Sequence, residues 1–163
     1  MLTAEFLRIS PEERAVVEMH LANAPVKISE IAKGLGIKLV ASTLPAGISG
    51  EIRPREDGFV ISVNRHDNPR RQRFTVAHEV AHYLIHRDQI GDGISDDVLY
   101  RSSLSDAREA EANRLAADIL MPRRLVELAY ARHKGVATDE VVAKMAEEFG
   151  VSEVAMRIRL GLS

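Results

Sequence analysis

The sequence predicts an α+β fold, a short antiparallel β-sheet packed on one long histidine-bearing helix, with additional helices at both ends. Three features predict it. Apolar, β-branched runs separated by turn residues crowd into positions 37–64. One helical pattern fills about 69–87 with its apolar residues on a single broad arc, and capped helical patterns flank both regions. With 163 residues, 45% of them hydrophobic and 28% charged, the chain can bury one core. We read 1–163 as a single domain, its centre over about 25–130 and a helical extension over 135–163.

Ser10-Pro11-Glu12-Glu13 starts a helix, with Ser as N-cap, Pro at the first helical position and Glu three after the cap. Ala15, Val16, Met19 and Leu21 form its inward stripe, and Pro25 closes the segment. A short helix from Ser29 is stopped by Gly34 and Gly36. Its order of helix, glycine turn and apolar residue has the shape of half a helix-turn-helix. No Arg/Lys-rich recognition helix follows, so it reads as a packing helix.

Ile37–Ala41 is the first strand. Ile48–Arg53 and Gly58–Asn64 flank the turn-rich Pro54–Asp57 as a hairpin. An exposed edge of such a sheet can receive an extended peptide through main-chain bonds, or the sheet can simply cover the core.

Asp67-Asn68-Pro69 starts the central helix, which runs to about Arg87. Phe74, Ala77, Val80, Ala81, Leu84 and Ile85 make its apolar arc. His78, His82 and His86 lie along one border, with Glu79 just beyond, so the histidine edge is expected to open into a cleft. Residues 88–105, rich in Gly, Asp and Ser, read as a long loop, either a flap beside that cleft or simple disorder.

Ser105 or Asp106 caps the next helix, which ends at Met121 ahead of Pro122. Pro122 opens another, Arg123 to about His133, closed by Gly135. Thr138 and Ser152 cap two last helices, 139–149 and 153–161, parted by Gly150. The segment 142–160 has a helix-turn-helix rhythm with Arg157 and Arg159; of core extension and partner docking, core extension is the preferred reading.

The net charge of −2 gives no support to a nucleic-acid scaffold or a membrane-surface protein. No apolar run approaches the roughly 20 residues that span a bilayer. The N-terminus lacks a signal-peptide pattern, so a cytoplasmic location is expected. With no cysteine, disulfides and thiolate metal ligands are excluded, leaving histidine and carboxylate as ligand types.

Those types meet in His78-Glu79-Val80-Ala81-His82, an HExxH pattern. Histidines four apart on a helix share a face and can converge on one ion. Glu79, one position after the first ligand, is turned too far to share the metal comfortably but can act as a general base on a water there. A catalytic site of this kind needs a third protein ligand. His86 lies roughly 12 Å along the axis from His78, beyond the reach of one ion, and is expected to pack or to support the site from behind. On the helix from 106, Glu109 lies about 50° from the centre of the apolar face and Glu111 roughly twice as far on the other side. Glu109 is therefore the expected third ligand and Glu111 the more solvated residue. Asn113, one turn after Glu109, can hydrogen-bond the free ring nitrogen of a ligand histidine.

Three segments together, RFTVAHEVAHYLIH (73–86), Leu99-Tyr100-Arg101 and EAEANRLAADILMP (109–122), resemble the ImmA/IrrE family of metallopeptidases over about 25–130. The resemblance implies a zincin-like fold, Zn2+ held by His78, His82 and Glu109, and Glu79 as base. Leu115 stands where the family usually has Phe, a change of packing. Family members are bacterial or phage cytosolic proteins. Several cleave Xre-type helix-turn-helix repressors encoded beside them, and others occur in toxin–antitoxin-like pairs. A zinc endopeptidase acting on such a repressor is therefore expected, without direct nucleic-acid or membrane contact. The alternative is a non-proteolytic module that binds and sequesters a repressor or antitoxin. Besides zinc, Tyr100 and Arg101 are weak candidates for stabilising the oxyanion.

Overall fold

The structure is a computed structural model and describes residues 3–162. Its elements follow in the order α1 (Ala4–Leu7), α2 (Pro11–Glu18), α3 (Ile28–Gly34), β1 (Ile37–Ser42), β2 (Ile48–Arg55), β3 (Gly58–Asn64), α4 (Pro69–Ile85), β4 (Ile94–Asp97), α5 (Asp106–Leu120), α6 (Arg123–Arg132), α7 (Asp139–Phe149) and α8 (Glu153–Arg159). The side chains of Ser10, Asn68, Ser105, Thr138 and Ser152 each accept a backbone N–H from three residues on, which starts α2, α4, α5, α7 and α8 where the sequence predicts. Three expectations shift. α1 is a four-residue turn capped by Thr3, too short to leave a periodic signal. α4 ends at Ile85, two residues early, because His86 leaves helical geometry. Part of the stretch read as a loop is strand β4.

The fold is α+β, and its sheet is mixed where an antiparallel one was expected. The strand order is β1-β3-β2-β4, with β1 parallel to β3 and the other two pairings antiparallel. The five-residue link between Ser42 and Ile48 explains this. It spans at most about 17 Å, enough to carry the chain across two strand spacings of roughly 5 Å each. The skipped slot between β1 and β2 is then filled by β3, which returns from the hairpin running parallel to β1. β4 adds to the other edge of β2 with a register shift between Ile48 and Gly50.

α4 lies between this sheet and α5. Ile52 and Ile61 from the sheet, Ala77, Val80 and Ala81 from α4, and Ala112, Leu115, Ala116 and Ile119 from α5 are all buried. The alanines let the two helices approach closely. The C-terminal helices continue the same core through Val142, Met145, Phe149 and Met156, in line with the core-extension reading. Two arginines fix them there. Arg73 donates to the carbonyls of Val26, Phe149 and Gly150, and Arg159 to Asp118 and the Met121 carbonyl. Gly150 adopts φ +66° to end α7, and a Cβ there would stand 2.6 Å from Arg73 Nε. Among the described residues, no helix is long and apolar enough to cross a membrane.

At Gly50 the sheet packs tightly against α4. A Cβ at this position would lie 2.3 Å from Thr75 Cγ2 and 3.2 Å from the Ser62 carbonyl oxygen. Gly50→Ala is expected to cost about 1–3 kcal/mol, as overpacking does. In a Thr75→Ser background, which removes Cγ2, the same change should cost less. Urea unfolding of the four proteins in this cycle measures the coupling, and a Gly50→Ala cost unaffected by Thr75→Ser would contradict the contact.

Candidate metal centre

α4 carries His78 and His82 one turn apart on the side that faces α5, Glu109 comes from the first turn of α5, and Asp96 comes from β4. One ligand atom from each of the four lies within 4.8 Å of all the others. The two Nε2 atoms are 3.1 Å apart. His78 Nε2 is 3.4 Å from Asp96 and 3.5 Å from Glu109, and His82 Nε2 is 3.9 Å from Asp96 and 2.7 Å from Glu109. Four ligands about 2.0 Å from a tetrahedral ion would be roughly 3.3 Å apart, and these separations bracket that value. The quartet and Glu79 are all buried.

Hydrogen bonds on the far side of each ring orient the nitrogens. His78 Nδ1 is 2.8 Å from Asn113 Oδ1, an acceptor, so Nδ1 carries the proton and Nε2 keeps its lone pair. His86 Nε2 donates to Glu111 Oε1 at 2.9 Å, so His86 Nδ1 is the acceptor for His82 Nδ1–H, also at 2.9 Å. His82 Nε2 is thereby a lone pair as well. Glu111 is in turn held by Arg8 and Arg108. Two lone pairs thus face each other, and a carboxylate oxygen stands 2.7 Å from one of them without the angle of a hydrogen bond. Neutral partners would repel in this arrangement. A divalent cation fits it.

The charges agree. Both oxygens of Glu79, Asp96 and Glu109 are buried without a hydrogen-bond partner. Burial raises the Glu79 carboxyl well above the usual range, and Asp96 and Glu109 raise it further. Burial opposes charge on His78, yet Asp96 and Glu109 outweigh it and lift its pKa to about 9. A proton at His78 Nε2 meets the same demand for positive charge that an ion would. Burial lowers the His86 pKa despite Glu111, which keeps that ring neutral as the relay requires. Burial would raise Glu111, but hydrogen bonds from His86 and Arg108 and the charge of Arg8 hold it at about 2.

The structure brings together His78, His82, Glu79, Glu109 and Asn113, and keeps His86 behind the site. Glu111 is more exposed than Glu109, but it is bound by His86, Arg8 and Arg108 and does not stand free in solvent. Two corrections follow. The histidine edge does not open into a cleft, because β4 and the turn after it close over it. Tyr100, at φ +56°, packs on His78 and Phe74 with ring centroids 5.0 and 5.2 Å apart, and its hydroxyl is 3.2 Å from Thr75 Oγ1. Arg101 instead pairs with Asp97 at the exposed surface. The second correction is Asp96, absent from the sequence reading. The alternation of Ile94 and Asp96, both inward, was the available signal, and a four-residue strand between Gly93 and a turn is too short to stand out.

The family model for Peptidase M78, the IrrE N-terminal-like domain, matches residues 32–161. The chain belongs to this family. The radiation response metalloprotease IrrE of Deinococcus radiodurans is 34% identical over 118 residues, covering 64% of this chain and 28% of that protein. A solved Mycobacterium tuberculosis transcriptional regulator shares the fold with TM-score 0.58 and 20% identity, over 96% of this chain and 48% of that one. The chain thus spans about a quarter of the first relative and half of the second. Membership of this family implies a divalent metal, and the buried His-His-Asp-Glu group is the candidate to hold it.

The orienting hydrogen bonds have a measurable consequence. His86→Ala leaves His82 Nδ1–H without its partner, and Asn113→Ala does the same to His78. Each is expected to weaken divalent-metal binding by roughly 10–100-fold, measured by competition with a chromophoric chelator. Unchanged affinity in both would contradict the tautomer assignment.

Proposed function

We propose that the chain is a zinc-dependent endopeptidase that hydrolyses a peptide bond in a partner protein, a helix-turn-helix repressor of the Xre type, in the cytoplasm. One observation carries it: two imidazole lone pairs and the Glu109 carboxylate converge on one point, with Glu79 on the same helix buried beside them. A site of nitrogen and oxygen ligands without thiolate suits zinc. His78, His82 and Glu109 hold the ion, which when bound supplies the Lewis acid that activates water and polarises the scissile carbonyl. The Glu79 carboxylate takes the proton of the attacking water and returns it to the leaving amide nitrogen. Asn113 and the His86–Glu111 pair keep both imidazoles in the ligating tautomer. The printed description of the Deinococcus radiodurans relative as a metalloprotease supports the reaction class. The repressor as substrate rests on the family resemblance.

A second reading, a module that binds and sequesters its partner without cutting it, is favoured by one feature: Glu79 and all four grouped residues are shut away from solvent.

Glu79→Gln separates the two. Under the peptidase reading it keeps its metal and cleaves the partner about 100–10,000-fold more slowly, as loss of a general base does. Relief of repression equal to that of the unmodified chain would show that cutting is not the mechanism. Metal analysis tests the ligands: Glu109→Ala is expected to lose zinc and Glu111→Ala to retain more. Loss from neither, or from Glu111→Ala alone, would overturn the assignment.

A further inference from the structure

We propose that Asp96 is a fourth protein ligand of the metal, so that β4 closes the coordination shell in the resting chain and must withdraw before substrate reaches the ion. The proposal rests on the metal reading above.

Asp96 is fully buried on the metal side of β4, and neither of its oxygens has a hydrogen-bond partner. A carboxylate in that condition stays ionised only beside positive charge. Among the described residues, the ionisable nitrogens recorded within 4 Å of it are His78 Nε2 and His82 Nε2, the two that face the candidate ion. Its other close neighbours, Glu79 and Glu109, are acids as well, and Asp96 and Glu109 add to the burial that raises the Glu79 carboxyl well above the usual range. Charged together they repel one another, and a cation in their midst relieves that repulsion. Asp96, Glu109 and the two Nε2 atoms that face them therefore match a divalent ion with an all-protein His, His, Asp, Glu shell. Closed four-ligand shells characterise structural sites, whereas a reacting site keeps one position for water or substrate. Asp96 fills that position.

The strand that carries Asp96 is built to move. β4 has four residues, lies at the sheet edge, pairs with β2 alone and does so across a register shift. Gly93 precedes it at φ +145°, and the turn after it holds Tyr100 at φ +56°. Three attachments keep the turn down: Tyr100 on Thr75 and His78, Arg71 donating to the Val98 carbonyl at 2.9 and 3.0 Å, and the Val98 N–H donating to the Gly47 carbonyl at 3.0 Å. Withdrawal would free both the fourth metal position and the edge of β2 beside it, where an extended peptide could add as a strand in place of β4.

Cobalt(II) substitution tests this without relying on catalysis, since its visible absorption reports coordination. Azide serves as the probe ligand. In the unmodified chain the spectrum should be that of a four-coordinate ion and should not change on adding azide. Asp96→Asn, which keeps shape and removes charge, should bind cobalt at least ~10-fold more weakly and show an azide-dependent spectrum. Asp96→Ser serves as a second variant, with folding of each checked by circular dichroism. An azide response in the unmodified chain equal to that of the variants would overturn the proposal, and this outcome needs no variant to fold. So would variants whose spectra match the unmodified chain and ignore azide, while the metal reading survived. Failure of the unmodified chain to take up cobalt would instead sink the metal reading, and this proposal with it.

Discussion

Three acidic side chains and two imidazoles share one buried space between α4, α5 and β4, and much of the rest of the molecule answers to the cost of that arrangement. Each carboxylate penalises the others. With Asn113 and His86 taking the Nδ1 protons, each imidazole turns Nε2 toward them, and there it meets their charge with a lone pair on an ion or, at His78, with a proton. Positive charge at the centre makes the set mutually attractive. The support runs outward in layers: His86 is fixed by Glu111, and Glu111 by Arg8 from the N-terminal helices and Arg108 from α5. The N-terminal segment, which looks like an appendage, thereby reaches the tautomer of a histidine in the centre.

Packing is arranged around the same space. The sheet can touch α4 only because Gly50 has no side chain at the crossing with Thr75, and α5 can do so because its facing residues include Ala112 and Ala116. Arg73, one turn before the first histidine, anchors the opposite face of α4 to the end of α7. A helix held on every side keeps its imidazoles where hydrogen bonds of about 2.9 Å can orient them. A site on a looser element would lose that definition.

Much of this was legible in the sequence because it was local. HExxH spacing, the caps at Ser10, Asn68, Ser105 and Thr138, and the wheel position of Glu109 depend on residues within a turn or two of each other. What stayed hidden was non-local. The parallel pairing of β1 with β3 follows from a strand position skipped by a short link, which no periodicity encodes. Asp96 lies in four residues of strand within a glycine- and aspartate-rich stretch whose composition says loop. Its burial depends on β2 offering an edge and on the cation demand of partners 13 and more positions away in the chain. The closed state of the site was unreadable for the same reason, since it is made by the one element that the composition concealed.

The central claim is that His78, His82 and Glu109 hold a single ion at the point where their lone pairs meet. Anomalous diffraction at the zinc absorption edge, from crystals of the zinc-loaded chain, tests it most directly. The account predicts one peak, within bonding distance of His78 Nε2, His82 Nε2 and Glu109. A zinc-loaded crystal with no peak among those three side chains, or with its zinc held elsewhere, would contradict it.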